Sequence, residues 1–148
     1  MLFKDLNTTA LKGYTVFLDI DGTLINDDEY KLSEATLRKI RELEANNKLY
    51  LCSNSRNHER NRSVAKLSNT PYLDTDLRKP SKKILDLIED TPFKELLVIG
   101  DKFLTDGLFA KNIKAQFIKV TRIESEKDRL YIKFLYWIDD FASKLIRL

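Results

Sequence analysis

The sequence has few of the residues that mark several classes of protein. It has one cysteine, Cys52, which excludes an internal disulfide, and one histidine, His58, which excludes a Cys/His zinc cluster. Four glycines and three prolines in 148 residues exclude collagen-like and low-complexity chains. We therefore expect a globular protein of the reducing cytoplasm, in which Cys52 is a small buried residue at a strand end and His58 is solvated.

Long hydrophobic runs are also missing. The longest, such as residues 134–138, span about five residues, whereas a helix that crosses a membrane needs about 20. Residues 1–13 mix charged and polar residues with apolar ones, so they lack the continuous apolar stretch of a secretory signal. These absences predict a cytoplasmic chain without a membrane span.

The net charge of the chain is small, but positive charge is concentrated in one segment. The net charge of +3 is too small to indicate nucleic-acid binding by itself. Residues 54–83, however, hold eight basic and three acidic residues. We interpret Arg60, Arg62 and Lys66 as a solvated helix face, while the other basic residues lie near predicted strand ends and would attract an anionic substrate. Because no aromatic residues alternate with these charges, a nucleic-acid partner is the weaker interpretation.

Strand and helix patterns alternate along the chain. Strands are predicted at residues 14–20, 48–52, 71–73, 95–99 and 115–120, and helices after Ser33, after Ser53, after Pro80 and near Asp106. This alternation requires right-handed crossovers and a parallel sheet covered on both faces. The predicted fold is therefore α/β and Rossmann-like, with about five parallel strands in one domain over residues 1–148.

The first strand ends in two carboxylates. Asp19 and Asp21 lie in Asp-Ile-Asp-Gly-Thr-Leu, and residues at i and i+2 point to the same side of an extended chain. In such sheets ligands bind beyond the carboxyl ends of the strands. A metal-neutralised carboxylate can attack phosphorus while a protonated one donates to the leaving oxygen, so the pair favours phosphoryl chemistry.

The later strands end in groups that complement this pair. Ser53 and Asn54 offer hydroxyl and amide donors to phosphoryl oxygens, and Lys79 offers a positive charge to the transition state. Asp101 and Asp106 are hard oxygen ligands that suit Mg²⁺. Each group alone could be a helix cap or a surface residue, but four such elements in order, each at a predicted strand end, favour a catalytic site.

These residues resemble the four motifs of phosphatases of the haloacid dehalogenase (HAD) superfamily, over about residues 14–120. The resemblance implies that Asp19 forms an aspartyl-phosphate and that Asp21 protonates the leaving group and then activates water. It implies Mg²⁺ as the cofactor, bound by Asp19, the main-chain carbonyl of Asp21 and Asp101, with support from Asp106. The predicted substrate-binding residues are Thr23, Ser53, Asn54 and Lys79.

A narrower similarity is to the YqeG-like, subclass IIIA group, which is related to phosphatidylglycerophosphate phosphatases. It is carried by Ser53-Asn54, by residues 78–80 and by residues 100–106, although Gly22 stands where that group tends to have asparagine. The segments between the first three motifs, residues 24–52 and 54–78, are each long enough only for one predicted helix and one strand. We therefore expect no cap domain. The similarity implies a lipid phosphate, phosphatidylglycerophosphate, as the substrate. A soluble small-molecule or nucleic-acid phosphate ester, or a catalytically silent binding module, remains an alternative.

Residues 126–148 predict a long amphipathic helix. Its apolar positions are Leu130, Phe134, Trp137, Ile138, Phe141, Leu145 and Leu148. In one interpretation this face packs on the sheet or on a second subunit, which leaves the oligomeric state open. In the other it gives the protein peripheral contact with a membrane. Residues 122–148 hold six basic and five acidic residues, and this balance favours packing.

Overall fold

The structure, a computed structural model, describes residues 1–88, 93–125 and 130–146. Its centre is a sheet of four strands, β1 (Tyr14–Leu18), β2 (Lys48–Leu51), β3 (Glu95–Gly100) and β4 (Gln116–Lys119). The strand order is β2-β1-β3-β4, and all neighbours are parallel. The predicted α/β, Rossmann-like class is confirmed.

The strand predicted at residues 71–73 is reduced to a single bridge at the β2 edge of the sheet. Tyr72 pairs in parallel with Leu51, whose N–H donates to the carbonyl of Pro71 at 2.7 Å and whose carbonyl accepts from Leu73 at 2.9 Å. Proline has no N–H to continue a ladder, and β2 has only four residues. The sheet therefore has one strand fewer than predicted.

In the described part of the chain, four α-helices accompany the strands: α1 (Glu34–Glu44), α2 (His58–Ser68), α3 (Leu108–Ile113) and α4 (Leu130–Ile146). As predicted, Ser33 caps α1, its hydroxyl accepting from the N–H of Thr36 at 3.1 Å. Shorter turns are a 3₁₀ helix at Phe3–Asp5, another at Lys82–Leu87 and a π-helical turn at Phe103–Gly107.

The helix predicted after Pro80 is thus only the 3₁₀ helix Lys82–Leu87. Of its predicted buried positions Ile84, Leu85 and Ile88, only Ile84 is fully buried. A short helix depends on tertiary packing for its stability, and one buried side chain supplies little of it.

Side chains of β1 point alternately to the two faces of the sheet, and both faces are covered. Val16 and Leu18 are buried beneath α1 and α2, in a cluster that includes Ile40 and Val64. Phe17 is buried on the opposite face, where its ring meets that of Phe109 edge-on at 5.2 Å. This double burial explains the nearly continuous apolar sequence of the strand.

The segments that could carry a cap are fully described. Residues 24–79 form α1, β2 and α2 together with their connecting loops, and no additional domain lies among them. At the carboxyl edge of the sheet, these residues therefore contribute loops and no cap domain.

The helix α4 is joined to the sheet layer through a polar residue. The carboxylate of Asp139 is buried and accepts from the N–H groups of Phe103 and Leu104 at 2.8 and 2.7 Å. Lys119 donates to the same carboxylate at 3.1 Å. Asp139 therefore caps the π-helical turn that carries Asp106.

The apolar face of α4 is exposed. The stacked rings of Phe134, Trp137 and Phe141 are 57%, 62% and 53% exposed. The prediction that this face packs on the sheet is wrong for the described part of the helix, because the contact is made by Asp139 on its other side. Residues 126–129 and 147–148 of the predicted helix, including Leu148, lie outside the described residues. Across the described ranges, no helix is long and apolar enough to cross a bilayer.

Candidate active site

The predicted site residues converge at the carboxyl edge of the sheet. Because the strands are parallel, the residues that follow β1, β2 and β3 meet there. A pocket of about 320 Å³ opens at this edge, lined by Asp19, Asp21, Asp27, Asn54, Ser55, Lys79, Lys102 and Thr105.

Lys79 is the central cation of the site. Its side chain is buried, and its ammonium donates to Asp19 Oδ1 at 2.6 Å and to Asp106 Oδ1 at 2.5 Å. Burial by itself lowers the pKa of Lys79, but the carboxylates of Asp106 and Asp19 outweigh it, so the pKa lies well above its ordinary value. The lysine is therefore a permanent positive charge between two carboxylates.

Asn54 holds the main chain of Lys79. Its amide nitrogen donates to the Lys79 carbonyl at 2.9 Å, and its amide oxygen accepts from the Lys79 N–H at 2.8 Å. We predicted Asn54 as a donor to substrate. In the structure both ends of its side chain position the lysine. Asn54 also lines the pocket, so its contact with substrate stays a prediction.

Asp19 is buried at the floor of the pocket. Its second oxygen, Oδ2, accepts from the hydroxyl of Thr23 at 3.1 Å. Thr23, predicted to bind substrate, is fully buried, so it orients Asp19 rather than facing the pocket. Burial raises the pKa of Asp19 well above its ordinary value, with Lys79 opposing this shift. The ionised form therefore depends on nearby positive charge.

Asp101 is the carboxylate of the site whose oxygens accept no hydrogen bond from the described residues. Both carboxylate oxygens are buried without a hydrogen-bond partner among the described residues, and Arg122 Nη1 lies 3.6 Å from Oδ2. Burial raises the pKa of Asp101 to about 6. Gly22 makes this position possible, since it has φ +78° and a Cβ there would lie 2.5 Å from Asp101 Oδ2.

Three of the four predicted metal ligands come together. Asp19, Asp101 and Asp106 are all buried, and their ligand oxygens lie within 4.8 Å of one another. Three buried carboxylates surround the buried ammonium of Lys79. Asp101 Oδ2 also lies 3.6 Å from Arg122 Nη1, and neither Asp101 oxygen accepts a hydrogen bond from the described residues. A hard divalent cation such as Mg²⁺ fits this donor set and its excess negative charge.

The side chain of the fourth predicted ligand, Asp21, is engaged elsewhere. Its Oδ2 accepts from the hydroxyl of Ser53 at 2.6 Å, and its Oδ1 accepts from Arg60 at 2.5 Å. The predicted metal contact through the Asp21 carbonyl, and the predicted phosphoryl contact of Ser53, stay predictions.

Arg60 was wrongly interpreted from the sequence as part of a solvated face. It is 1% exposed, whereas Arg62, two residues later, has a side chain that is 62% exposed and an ion pair with Asp74 at 2.6 Å. One signal was available. Arg60 precedes the buried Val64 by four residues, and this spacing places both on the same face of α2.

His58 is also less solvated than predicted. Its ring nitrogens lie 2.9 Å from the Tyr72 hydroxyl and 3.1 Å from Asp76 Oδ1. The histidine thereby links the start of α2 to the loop after Tyr72. Cys52 is buried as predicted, and burial raises the pKa of its thiol to about 11, so it is unreactive at neutral pH.

Comparison with known proteins supports the same superfamily. Residues 16–75 match the family model of haloacid dehalogenase-like hydrolases. The search of curated proteins and the search of solved structures find no match. The matched part includes Asp19, Asp21 and Ser53 and ends before Lys79. Over these residues the chain is therefore similar to haloacid dehalogenase-like hydrolases, and the match supports a hydrolase of that superfamily.

Proposed function

We propose that this protein is a Mg²⁺-dependent phosphatase of the HAD superfamily, which hydrolyses phosphate monoesters through an aspartyl-phosphate on Asp19. The observation that carries the proposal is the buried arrangement of Lys79 between Asp19 and Asp106, beside the buried carboxylate of Asp101, whose oxygens accept no hydrogen bond from the described residues. Such a concentration of buried charge is costly for stability and is typical of catalytic sites.

In the first step, an oxygen of Asp19 attacks the phosphorus of the ester. The bond from phosphorus to the leaving oxygen breaks, and Asp21 transfers its proton to that oxygen as the alcohol departs. Lys79 balances the negative charge of the transferring phosphoryl group, and the Ser53 hydroxyl donates to one of its oxygens. When bound, Mg²⁺ would supply further neutralisation of this charge.

In the second step, water hydrolyses the aspartyl-phosphate. The Asp21 carboxylate, left without its proton, accepts a proton from the water as the water oxygen attacks phosphorus. The bond from phosphorus to the Asp19 oxygen breaks, which releases inorganic phosphate and restores the Asp19 carboxylate. Asp21 thus acts as an acid and then as a base.

Metal dependence tests this proposal. With a panel of phosphate esters, we expect hydrolysis in Mg²⁺, a fall of at least about 10²-fold after chelation, and recovery when Mg²⁺ is added. Mg²⁺ should also raise the melting temperature of the chelated protein. Asp101→Asn should abolish this rise, while Asp28→Asn, an exposed carboxylate, should keep it. Full activity after exhaustive chelation would contradict the proposal, and no activity on any ester would favour a silent binding module.

We propose a lipid phosphate, with phosphatidylglycerophosphate as the leading candidate, as the substrate. A pocket of about 580 Å³ runs from Asp101 to α4 and is lined by Arg122, Tyr136 and Trp137 among others. Its lining includes Asp101 of the candidate metal site and Trp137 of the exposed apolar face of α4. A phosphate ester with an apolar body would place its phosphate at Asp19 and its body along this helix.

The charges of α4 favour an anionic bilayer as the surface that this face contacts. Asp139 and Asp140 both pair with Lys119. The other two charged residues of the described helix, Lys133 and Lys144, have no ion-pair partner among the described residues. The helix therefore presents exposed aromatic rings together with positive charge, a combination that binds anionic membrane surfaces.

Vesicle sedimentation tests this contact. The protein should sediment with phosphatidylglycerol vesicles, and Phe134→Gln with Phe141→Gln should weaken binding by at least about 10²-fold, because each buried ring contributes about 1.5–3 kcal/mol. Hydrolysis of a water-soluble ester should stay near the parent value, since both rings are more than half exposed. Leu67→Gln, an exposed leucine on α2, is the matched control. A parent protein that does not sediment would favour a soluble ester as the substrate.

A further inference from the structure

Arg60 makes three hydrogen bonds within the site, one from each of its side-chain nitrogens. Nη1 donates to Asp21 Oδ1 at 2.5 Å. Nε donates to the carbonyl of Glu29 at 2.7 Å, and Nη2 donates to the carbonyl of Asn26 at 2.8 Å. The side chain is 2% exposed, so water does not compete for these bonds.

The two carbonyls set the direction of the third bond. A guanidinium is planar and rigid, so fixing Nε and Nη2 also fixes Nη1. The carbonyls belong to the loop that follows the Asp-x-Asp motif, and the helix end is held in turn, because Asn57 Oδ1 accepts from the Arg60 N–H at 3.1 Å. The position of the Asp21 carboxylate is thereby tied to both the loop and α2.

We propose that Arg60 is a positioning residue that holds Asp21 for proton transfer, an inference that rests on the proposed function. With Oδ1 committed to Arg60, Oδ2 is the oxygen that exchanges the proton. In the structure, Oδ2 accepts from the Ser53 hydroxyl at 2.6 Å. When that hydroxyl turns to a phosphoryl oxygen, Oδ2 becomes available to the leaving group while Arg60 keeps the carboxylate in place.

A role through Asp21 has a signature that a purely structural role lacks. An alkyl alkoxide is a poor leaving group and needs a proton from Asp21, whereas nitrophenolate leaves without one. Arg60→Met and Arg60→Lys should therefore lower kcat/KM for an alkyl phosphate by about 10²-fold or more, the usual contribution of a general acid. For p-nitrophenyl phosphate the loss in kcat/KM should be at least about tenfold smaller than for the alkyl phosphate.

The quantity to measure is the ratio of the two kcat/KM values in one preparation. Partial unfolding lowers both values equally and cancels, so the ratio remains informative for a destabilised variant. Arg60→Lys keeps the charge, but its three donors share one nitrogen and cannot reproduce the three bonds of the planar guanidinium. It covers the case in which Arg60→Met does not fold. Arg62→Met, on the same helix and exposed, is the matched control and should keep the parent ratio.

An unchanged ratio in both Arg60 variants would overturn the inference, even if total activity falls. So would a further shift of the ratio when Arg60→Met is added to Asp21→Asn, because a residue that acts through Asp21 has no effect on the ratio once that carboxyl is gone. Failure of the proposed function itself looks different, since either the parent would hydrolyse no ester or Asp19→Asn would remain active, whatever the Arg60 variants do.

Discussion

Asp19→Asn is expected to lower the turnover of a phosphate monoester by at least about 10³-fold, in keeping with the loss of a covalent nucleophile. The amide keeps the size of the carboxylate but cannot attack phosphorus, and it removes one of the three buried charges of the candidate metal site. Its oxygen can still accept from Thr23 or from Lys79, so the fold should persist. Initial rates at saturating Mg²⁺, with a melting curve for each protein, measure both effects.

Asp28→Asn is the matched control for this change, because it alters an exposed carboxylate in the loop beyond the motif. It should keep turnover within about twofold of the parent value, as surface substitutions usually do. An Asp19→Asn protein that is folded and retains a tenth of the parent turnover would eliminate Asp19 as the nucleophile.

Lys79→Met should abolish activity and also destabilise the fold. Removing one partner of a buried ion pair leaves an uncompensated charge and typically costs about 3–5 kcal/mol. Here two carboxylates, Asp19 and Asp106, lose the same partner. For a chain of this size the melting temperature should fall by about 10 °C. Thermal and denaturant unfolding at neutral pH measure the change.

Two further proteins separate charge from packing at this position. Lys82→Met, an exposed lysine in the following 3₁₀ helix, should leave stability and activity near the parent values. Adding Asp106→Asn to Lys79→Met should restore part of the lost stability but none of the activity, because it removes one of the unpaired charges. A Lys79→Met protein as stable as the parent would show that the lysine does not hold this cluster together.

Much of the fold and the position of the site follow from the sequence alone. The apolar run that becomes β1 is buried on both faces, and only a parallel sheet between two helix layers buries a strand in that way. Parallel strands bring their carboxyl ends to one edge, so Asp19, Ser53 and Asp101 had to meet once the strands were correctly assigned. These inferences succeed because local periodicity reports burial directly.

Pairings between distant polar groups were decided only by the tertiary structure. The hydrogen bond from Arg60 to Asp21 joins residues 39 positions apart. The two hydrogen bonds between Asn54 and Lys79 join residues 25 positions apart. The spacing from Val64 places Arg60 on the buried face of α2, but no local pattern identifies Asp21 as its partner or Lys79 as the partner of Asn54. The cost of burial is repaid by a partner that the chain brings near only after folding.

The orientation of α4 was likewise not determined by the sequence. Its apolar periodicity indicated a helix and which residues share a face, and the near balance of charges favoured packing of that face on the sheet or on a second subunit. The tertiary structure decided otherwise, because the N–H groups of Phe103 and Leu104 needed an acceptor and Asp139 supplied it. With Asp139 buried against this turn, the rings of Trp137 and Phe141 on the other side of α4 face outward.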